Sequence, residues 1–482
     1  MTETTQRSVM TTETHPEESG PAWWNPWHWP AGIWVLVVGA FVAMLPFGIR
    51  MLILAGVPAM DEPFDIAEFV KWDVSAEEDA FTQYRRAADL RTRLVADLKV
   101  QFPKEPENDT AVFEKGWSEA DEPLKKWLQA HREALTVWRR GTEKEHALNL
   151  SPDKLAIDSV IDTIQDQRQF TRLALLESAR CIDAGELDEA WRWARAAQRC
   201  GGHVTHRGCL IQGLVGVAIH ATSSDGLARW AEQSGVTSEQ LRAALAATKS
   251  NYDLYESRSN ILKSEYLACR HTLISGKWLG LINDAKSAAV FPVIRGGLWV
   301  VGEPELTLRI FRQVLANQIR EIDKPVASRR KIVSTGIAML FDPDPAVPML
   351  PNQLHPAEID RGVKQSFLMR LLAPALAKVD MAMLRQEARQ AVLEVLLAAQ
   401  AYRRDRGEFP ETLSLLVPDY LNAVPLDPCD PAGGLLLYRR DDPLDAVVWS
   451  LGDDRTDGGG DVISANNNSR PADTGFVLKV AK

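Results

Sequence analysis

The chain has 482 residues, 45% of them hydrophobic and 25% charged, which is the length of two or three domains and the balance of a folded protein. Its net charge of -10 argues against nucleic acid as a partner. Five cysteines, Cys181, Cys200, Cys209, Cys269 and Cys429, form an odd, irregular set that excludes a dense disulfide scaffold and leaves room for two bridges at most.

Residues 1–30 read as a disordered Thr/Glu-rich tail that ends in a membrane-proximal segment with Trp23, Trp24, Trp27 and Trp29 between prolines. Residues 31–49 then carry no charge, and after Arg50 the apolar run resumes to Met60. At 1.5 Å per residue the first part alone is about 28 Å, close to a hydrocarbon core. A transmembrane helix is expected over 31–57, with Arg50 snorkelling at its far end. A cleaved signal peptide is the rival reading, with Val57-Pro58-Ala59 as the cleavage site, but the basic n-region is missing. A buried helix of a soluble protein is the plainest alternative, against which the flanking Trp and Pro argue. Arg7 precedes the segment and Arg50 and Lys71 follow it, a bias that would place the body in the cytoplasm.

Residues 58–74 read as a linker and 75–375 as an irregular α-helical hairpin domain. Ser75 with Glu77 and Glu78 suggests a helix start, continued by Phe81, Tyr84, Ala88, Leu94 and Leu98. A long helix is expected over 155–184, closed by Gly185. The string from Gly185 to Ala190 with Trp193, Ala194 and Ala197 resembles the turn and second helix of a tetratricopeptide unit, but no second copy recurs at a fixed period. Cys200, His203, His206 and Cys209 have zinc-like residue types. Steps of three on a helix would spread them over half its circumference, so a hairpin corner is the simpler reading. Glu256, Arg258 and Glu265 read as a solvated helix face with ion pairs, and His271 has no evident partner. Asp342 and Asp344 lie in a Pro-rich loop and point apart, unlike a glycosidase pair. No Walker loop, G-x-S-x-G, H-E-x-x-H or dinucleotide fingerprint occurs.

Residues 376–482 form a last module. Val392, Val395, Leu396, Ala399 and Tyr402 make one apolar helical stripe that ends in Arg403, Arg404 and Arg406 before Gly407. A short helix is expected to start at 409–412, followed by strands at 435–440, 446–450 and 475–480. Between the last two strands lies a glycine-rich loop with Asp453, Asp454, Asp457 and Asp461. Carboxylates crowded this way repel unless a cation sits among them, and hard oxygen donors on a flexible loop suit calcium. The spacing is not that of an EF-hand, and a solvated turn is the bland reading.

The ordered string Arg406-Gly407-Glu408-Phe409-Pro410, Val417-Pro418-Asp419-Tyr420, Pro425-Leu426-Asp427-Pro428, Trp449-Ser450-Leu451-Gly452-Asp453-Asp454 and Gly460-Asp461-Val462 resembles the soluble domain of the major pseudopilin of type II secretion systems. The resemblance implies a helix on a short antiparallel sheet with a structural Ca²⁺ loop. Asp454 and Asp461 would be its aspartate ligands, Leu451 would give its carbonyl, and Asp453 and Asp457 are extra acidic candidates. This chain has Cys429-Asp430 where the family has Trp-Gly, and its module lies at the far end from the apolar segment. The whole reads as mainly α: an N-terminal transmembrane helix, a helical hairpin domain and a small α+β pseudopilin-like module. The expected function is non-enzymatic: a single-pass inner-membrane protein with an extracytoplasmic body, meeting other envelope proteins. An enzyme with a site in the helical domain and a tetratricopeptide-like peptide-binding module are the alternatives.

Overall fold

A computed structural model describes residues 29–98, 106, 109–155, 161–276, 278, 291–334, 338–463 and 471–479. The Thr/Glu-rich tail lies outside these residues. Among them the chain is mostly helical, with one apolar N-terminal helix and two small antiparallel sheets.

Helix α1 (Ala31–Ala55) is long and apolar enough to cross a membrane, and no residue of its hydrophobic window is buried in the body. Its far end behaves differently. Leu54 and Val57 are buried in a core with Tyr266, Phe311 and Val363, and Arg309 donates to the carbonyls of Leu54 (3.0 Å) and Val57 (3.1 Å). An arginine on the last carbonyls satisfies groups that the helix leaves orphaned. Residues 57–59, the cleavage site of the rival signal-peptide reading, are thus built into the body: Val57 is buried and the Ala59 carbonyl accepts from Asn352 (3.0 Å). The expected linker is also pinned. It carries α2 (Ile66–Val70), and Glu62 accepts from the Tyr266 hydroxyl (2.6 Å) and Arg312 (2.9 Å).

The body is helix on helix. Helix α3 (Ala80–Leu98) begins after a Ser75–Glu78 turn, with the buried Asp79 carboxylate accepting from the Phe81 and Leu148 amides (both 3.0 Å). Helices α4 (Asp109–Lys115), α5 (Glu122–Ala130) and α6 (Arg132–Thr142) follow. Helices α7 (Ile161–Asp183) and α8 (Leu187–Thr205) form a hairpin at Gly185, whose φ of +74° favours glycine. Helix α9 (Leu210–Glu232) lies against both, α10 (Ser238–Tyr252) follows it, and α11 (Arg258–Ile274) joins the second core. That core also takes α13 (Glu305–Gln318) and α14 (Pro356–Gln365), with α12 (Phe291–Val300) at its edge and the ribbon β1 (Ile332–Ser334)–β2 (Leu340–Phe341) beside it.

Helix α15 (Phe367–Arg406) has 40 residues, about 60 Å at 1.5 Å each. The boundary expected at 375 falls inside it. Met369, Leu376, Val379 and Met383 belong to the second core, whereas Val392, Leu396 and Ala399 belong to the first. Gly407 ends it at φ +86°, its amide on the Arg403 carbonyl (2.8 Å). The expected short helix is a 3₁₀ turn at Leu413–Leu416. Strands β3 (Leu437–Asp442), β4 (Asp445–Ser450) and β5 (Thr474–Leu478) pair antiparallel in the order β3-β4-β5, and α15 packs on β4 and β5 through Val448, Phe476 and Leu478.

Where the two cores meet, α15 carries Asp380 into a buried ion cluster. Arg329 contacts its carboxylate at 3.0 Å and Arg258 at 3.3 Å; Arg258 also pairs with Glu387 (2.6 Å). Arg258, read from sequence as part of a solvated face, is therefore interior, because its charge is met by carboxylates from a helix more than a hundred residues away. Asp380→Ala would leave the buried Arg329 without its carboxylate and Arg258 with Glu387 alone, and a loss of about 3–5 kcal/mol is expected in urea unfolding. A change under about 1 kcal/mol would show that solvent reaches the cluster.

Candidate metal loop

Strand β4 delivers Ser450 to a loop that turns on Gly452 (φ +68°), where a Cβ would meet the Ala472 carbonyl at 2.7 Å. Two buried aspartates hold this loop from inside. Asp427 accepts from the Ser450 hydroxyl (2.6 Å) and from the amides of Leu451 (2.8 Å) and Cys429 (2.9 Å). Asp473 accepts from the amides of Gly458 (3.1 Å), Gly460 (2.8 Å) and Asp461 (3.0 Å). Backbone N–H groups aimed at an ionised carboxylate make the stronger, charge-assisted kind of hydrogen bond.

The residues expected as ligands have various duties. Leu451 gives its amide to Asp427. Asp453 pairs with Arg385 of α15 at 2.7 Å, which ties the loop to the helix. Asp457 accepts from the Trp449 indole (3.0 Å) and the Gly459 amide (2.8 Å). Among the described residues Asp454 accepts within its own turn, from the Thr456 amide (3.0 Å), and Asp461 is exposed while its carbonyl accepts from the Asp473 amide (3.1 Å). Among the described residues no three acidic, histidine or cysteine side chains converge as a metal-ligand group. In type the donors suit a hard cation; in position, among the described residues, the carboxylates of Asp454 and Asp461 are the ones not tied to another element. Sequence reasoning passed over Asp427 and Asp473 as loop-closing residues. Asp427 lay in a quoted Pro-Leu-Asp-Pro turn, and Asp473 carried no local signal, because its role appears only when β5 returns beside β4.

Beside the loop is a cleft of about 210 Å³ lined by His220 of α9, Arg385 and Arg389 of α15, and Asp473. The His220 ring meets the Gln390 amide oxygen at 3.1 Å, and burial pushes its pKa down to about 4.

The Cys/His string does not converge. Cys200 is buried beside Gln167, His203 Nδ1 meets the Tyr84 hydroxyl (2.7 Å), His206 faces Glu256 (3.5 Å) and Cys209 caps α9 beside Gln212. Arg207, at φ +47°, turns the chain between the last two. All five cysteines are unpaired and buried, and burial pushes the thiols of Cys181, Cys200 and Cys209 up to about 12, so they stay protonated and poorly nucleophilic at neutral pH. Glu265 accepts from the Leu210 amide (3.0 Å) at the start of α9, with its pKa raised by burial. Asp342 and Asp344 line a cavity of about 340 Å³ with Arg320, Glu321 and Lys324, where Glu321 pairs with Lys324 (2.6 Å) and Asp344 with Arg330. Neither models of known families, nor curated proteins, nor solved structures give a match to this chain.

Burial also pushes His203 down, to about 3. Both histidines are neutral in the fold and free to protonate below 6.5 when unfolded, so the unfolded state binds more protons and stability is lost as pH falls. Melting temperature is expected to hold above pH 7 and to drop as pH falls from 6.5 toward 4, at about 1.4 kcal/mol per pH unit for each histidine. His203→Gln should make this slope shallower; an unchanged slope would assign the acid sensitivity elsewhere.

Proposed function

We propose that this is a single-pass membrane protein whose body acts by holding and presenting surfaces, as a non-enzymatic assembly or interaction component of a bacterial envelope. One observation carries this reading: an apolar helix of 25 residues stands outside the body while its last turn is part of a core. The body is thereby held at a fixed distance from the bilayer. An extracytoplasmic, inner-membrane location and a kinship with type II secretion components belong to the same proposal. Their support is the sequence resemblance, together with the order of helix, αL glycine, three-stranded sheet and acidic loop.

Calcium has a restricted place in this reading. Asp454, Asp461 and the Leu451 carbonyl would hold it, while Asp453 and Asp457 serve Arg385 and Trp449. It would neutralise charge on the outer rim of a loop whose inner rim is closed by Asp427 and Asp473.

A second reading, a helical module for acidic peptide segments, is favoured by a cavity of about 730 Å³ lined by Arg139, Arg192, Arg195 and Arg199. The acidic residues Glu143, Glu145 and Asp253 share that lining. They offset part of the charge and leave the anchor-based reading the stronger.

The full chain is expected to stay with membranes washed in alkaline carbonate, and the double substitution Val38→Lys, Phe41→Lys to release it. Extraction of the unsubstituted chain would overturn the anchor. In detergent, calcium is expected to raise the melting temperature by a few degrees over chelator. Asp454→Ala and Asp461→Ala should remove that increment, while Asp473→Ala should lower melting in both conditions. Equal melting of the unsubstituted chain with calcium and chelator would remove calcium from the proposal.

A further inference from the structure

We infer that α12 with Val301 lies in the bilayer interface beside the far end of α1, so that the body is docked on lipid as well as anchored through it. This rests on the reading of α1 as a membrane span.

Helix α12 is apolar on nearly every side, yet Leu298 is the residue that joins the small core of Leu273, Trp278 and Leu368. Val293 is 74% exposed, Ile294 40%, Trp299 37% and Val301 41%. An apolar helix left in water on most of its surface is ordinarily covered by protein or lipid.

Its position identifies which. The Trp299 ring lies edge-on to Phe47 of α1 at 5.0 Å, and the Arg50 guanidinium sits 5.0 Å over the same ring. Arg50 also donates to the Trp299 carbonyl at 2.6 Å and pairs with Glu305 at 3.1 Å. Arg50 is nineteen residues beyond Ala31, or about 28 Å along the helix, against a hydrocarbon core of about 30 Å. If α1 spans the bilayer, Arg50 marks the boundary, and Trp299 is held at the depth where indoles collect.

The charges agree. No acidic residue occurs over 291–302, and Arg295 is exposed, suited to lipid phosphates. The next carboxylate, Glu303, is buried and turned inward onto the Ser366 hydroxyl (2.6 Å) and the start of α15. Glu305 is held by Arg50 and Arg309. The neighbouring helix ends that meet in the same small core add exposed apolar residues, Ile274 at 65% and Leu371 at 61%.

The test uses the full chain in nanodiscs of phosphatidylcholine and phosphatidylglycerol. An environment-sensitive fluorophore is placed on Val293→Cys, on Leu36→Cys within the span, or on Lys126→Cys in the body; the native thiols are buried. Lipids carry a spin-label quencher either near the headgroup or near the bilayer centre. The expected result is quenching of position 293 by the headgroup label, of position 36 by the central label, and of position 126 by neither. Quenching at 36 with none at 293, and free access of aqueous iodide to 293, would overturn the docking and leave the anchor standing. Shielding of 293 from both lipid label and iodide would overturn it in favour of a protein partner or a second copy. Absence of quenching at 36 would overturn the anchor and the docking together.

Discussion

The pairing of Asp380 with Arg258 and Arg329 is the constraint on which the architecture turns. Helix α15 is too long for one small core to cover, and it crosses from one hydrophobic cluster to the other. At the crossing the three charged side chains are each more than nine-tenths buried. Ions taken out of water are tolerated only when each is met by partners, and here the Ile322 carbonyl also accepts from both arginines, at 3.2 and 2.6 Å. A hydrophobic crossing would allow the helix to slide or rotate among similar packings. A charge cluster with fixed partners selects one register, so the two cores and the sheet are positioned relative to each other through a single helix.

The same logic operates at the N-terminal helix. The hydrophobic effect alone would not fix where the exposed part of α1 stops, because Leu54 and Val57 are as apolar as the residues before them. Charge fixes the border. Arg50 is matched by Glu305 and Arg309 by the last carbonyls of α1, and both arginines converge on one carboxylate side chain. Beyond Arg50, Leu54, Val57 and Met60 enter the core, whereas the apolar residues before it are exposed. The start of α15 joins this border through Glu303, which binds the Ser366 hydroxyl at its N-cap. A displacement of α1 is therefore coupled mechanically to the helix that carries the sheet.

Legibility in the sequence divided along the range of the interactions. Where a pattern is local, it was readable: the apolar N-terminal helix, the stripe Val392–Leu396–Ala399, the glycine stop at Gly407 and the three strands around the acidic loop. These follow from periods of 3.6 and 2 and from turn chemistry. What was not readable depends on distant partners. Arg258 looks like a surface residue in a helical wheel and is interior because Asp380 reaches it. Residues 58–74 look like a linker by their prolines and polarity, yet Glu62 is bound by Tyr266 and Arg312. The zinc-like string failed for a reason visible in advance, the sixty-degree drift of successive steps of three, and the turn at Arg207 did not repair it.

The acidic loop shows how a local reading of charge can mislead about cause. Four aspartates in close sequence suggest mutual repulsion that only a cation relieves. In the fold, repulsion is reduced by dividing the carboxylates between environments. Asp453 and Asp457 are turned onto Arg385 and Trp449, while Asp454 and Asp461 face water, where two charges 4 Å apart interact by only about 1 kcal/mol. The residues that close the loop, Asp427 and Asp473, lie outside the acidic run and are surrounded by backbone N–H donors rather than by other carboxylates. A cation at the outer rim would add to a loop that already has an internal frame. Its contribution would therefore be an increment of stability and not a condition for folding, unlike a site whose ligands have no partner but the metal.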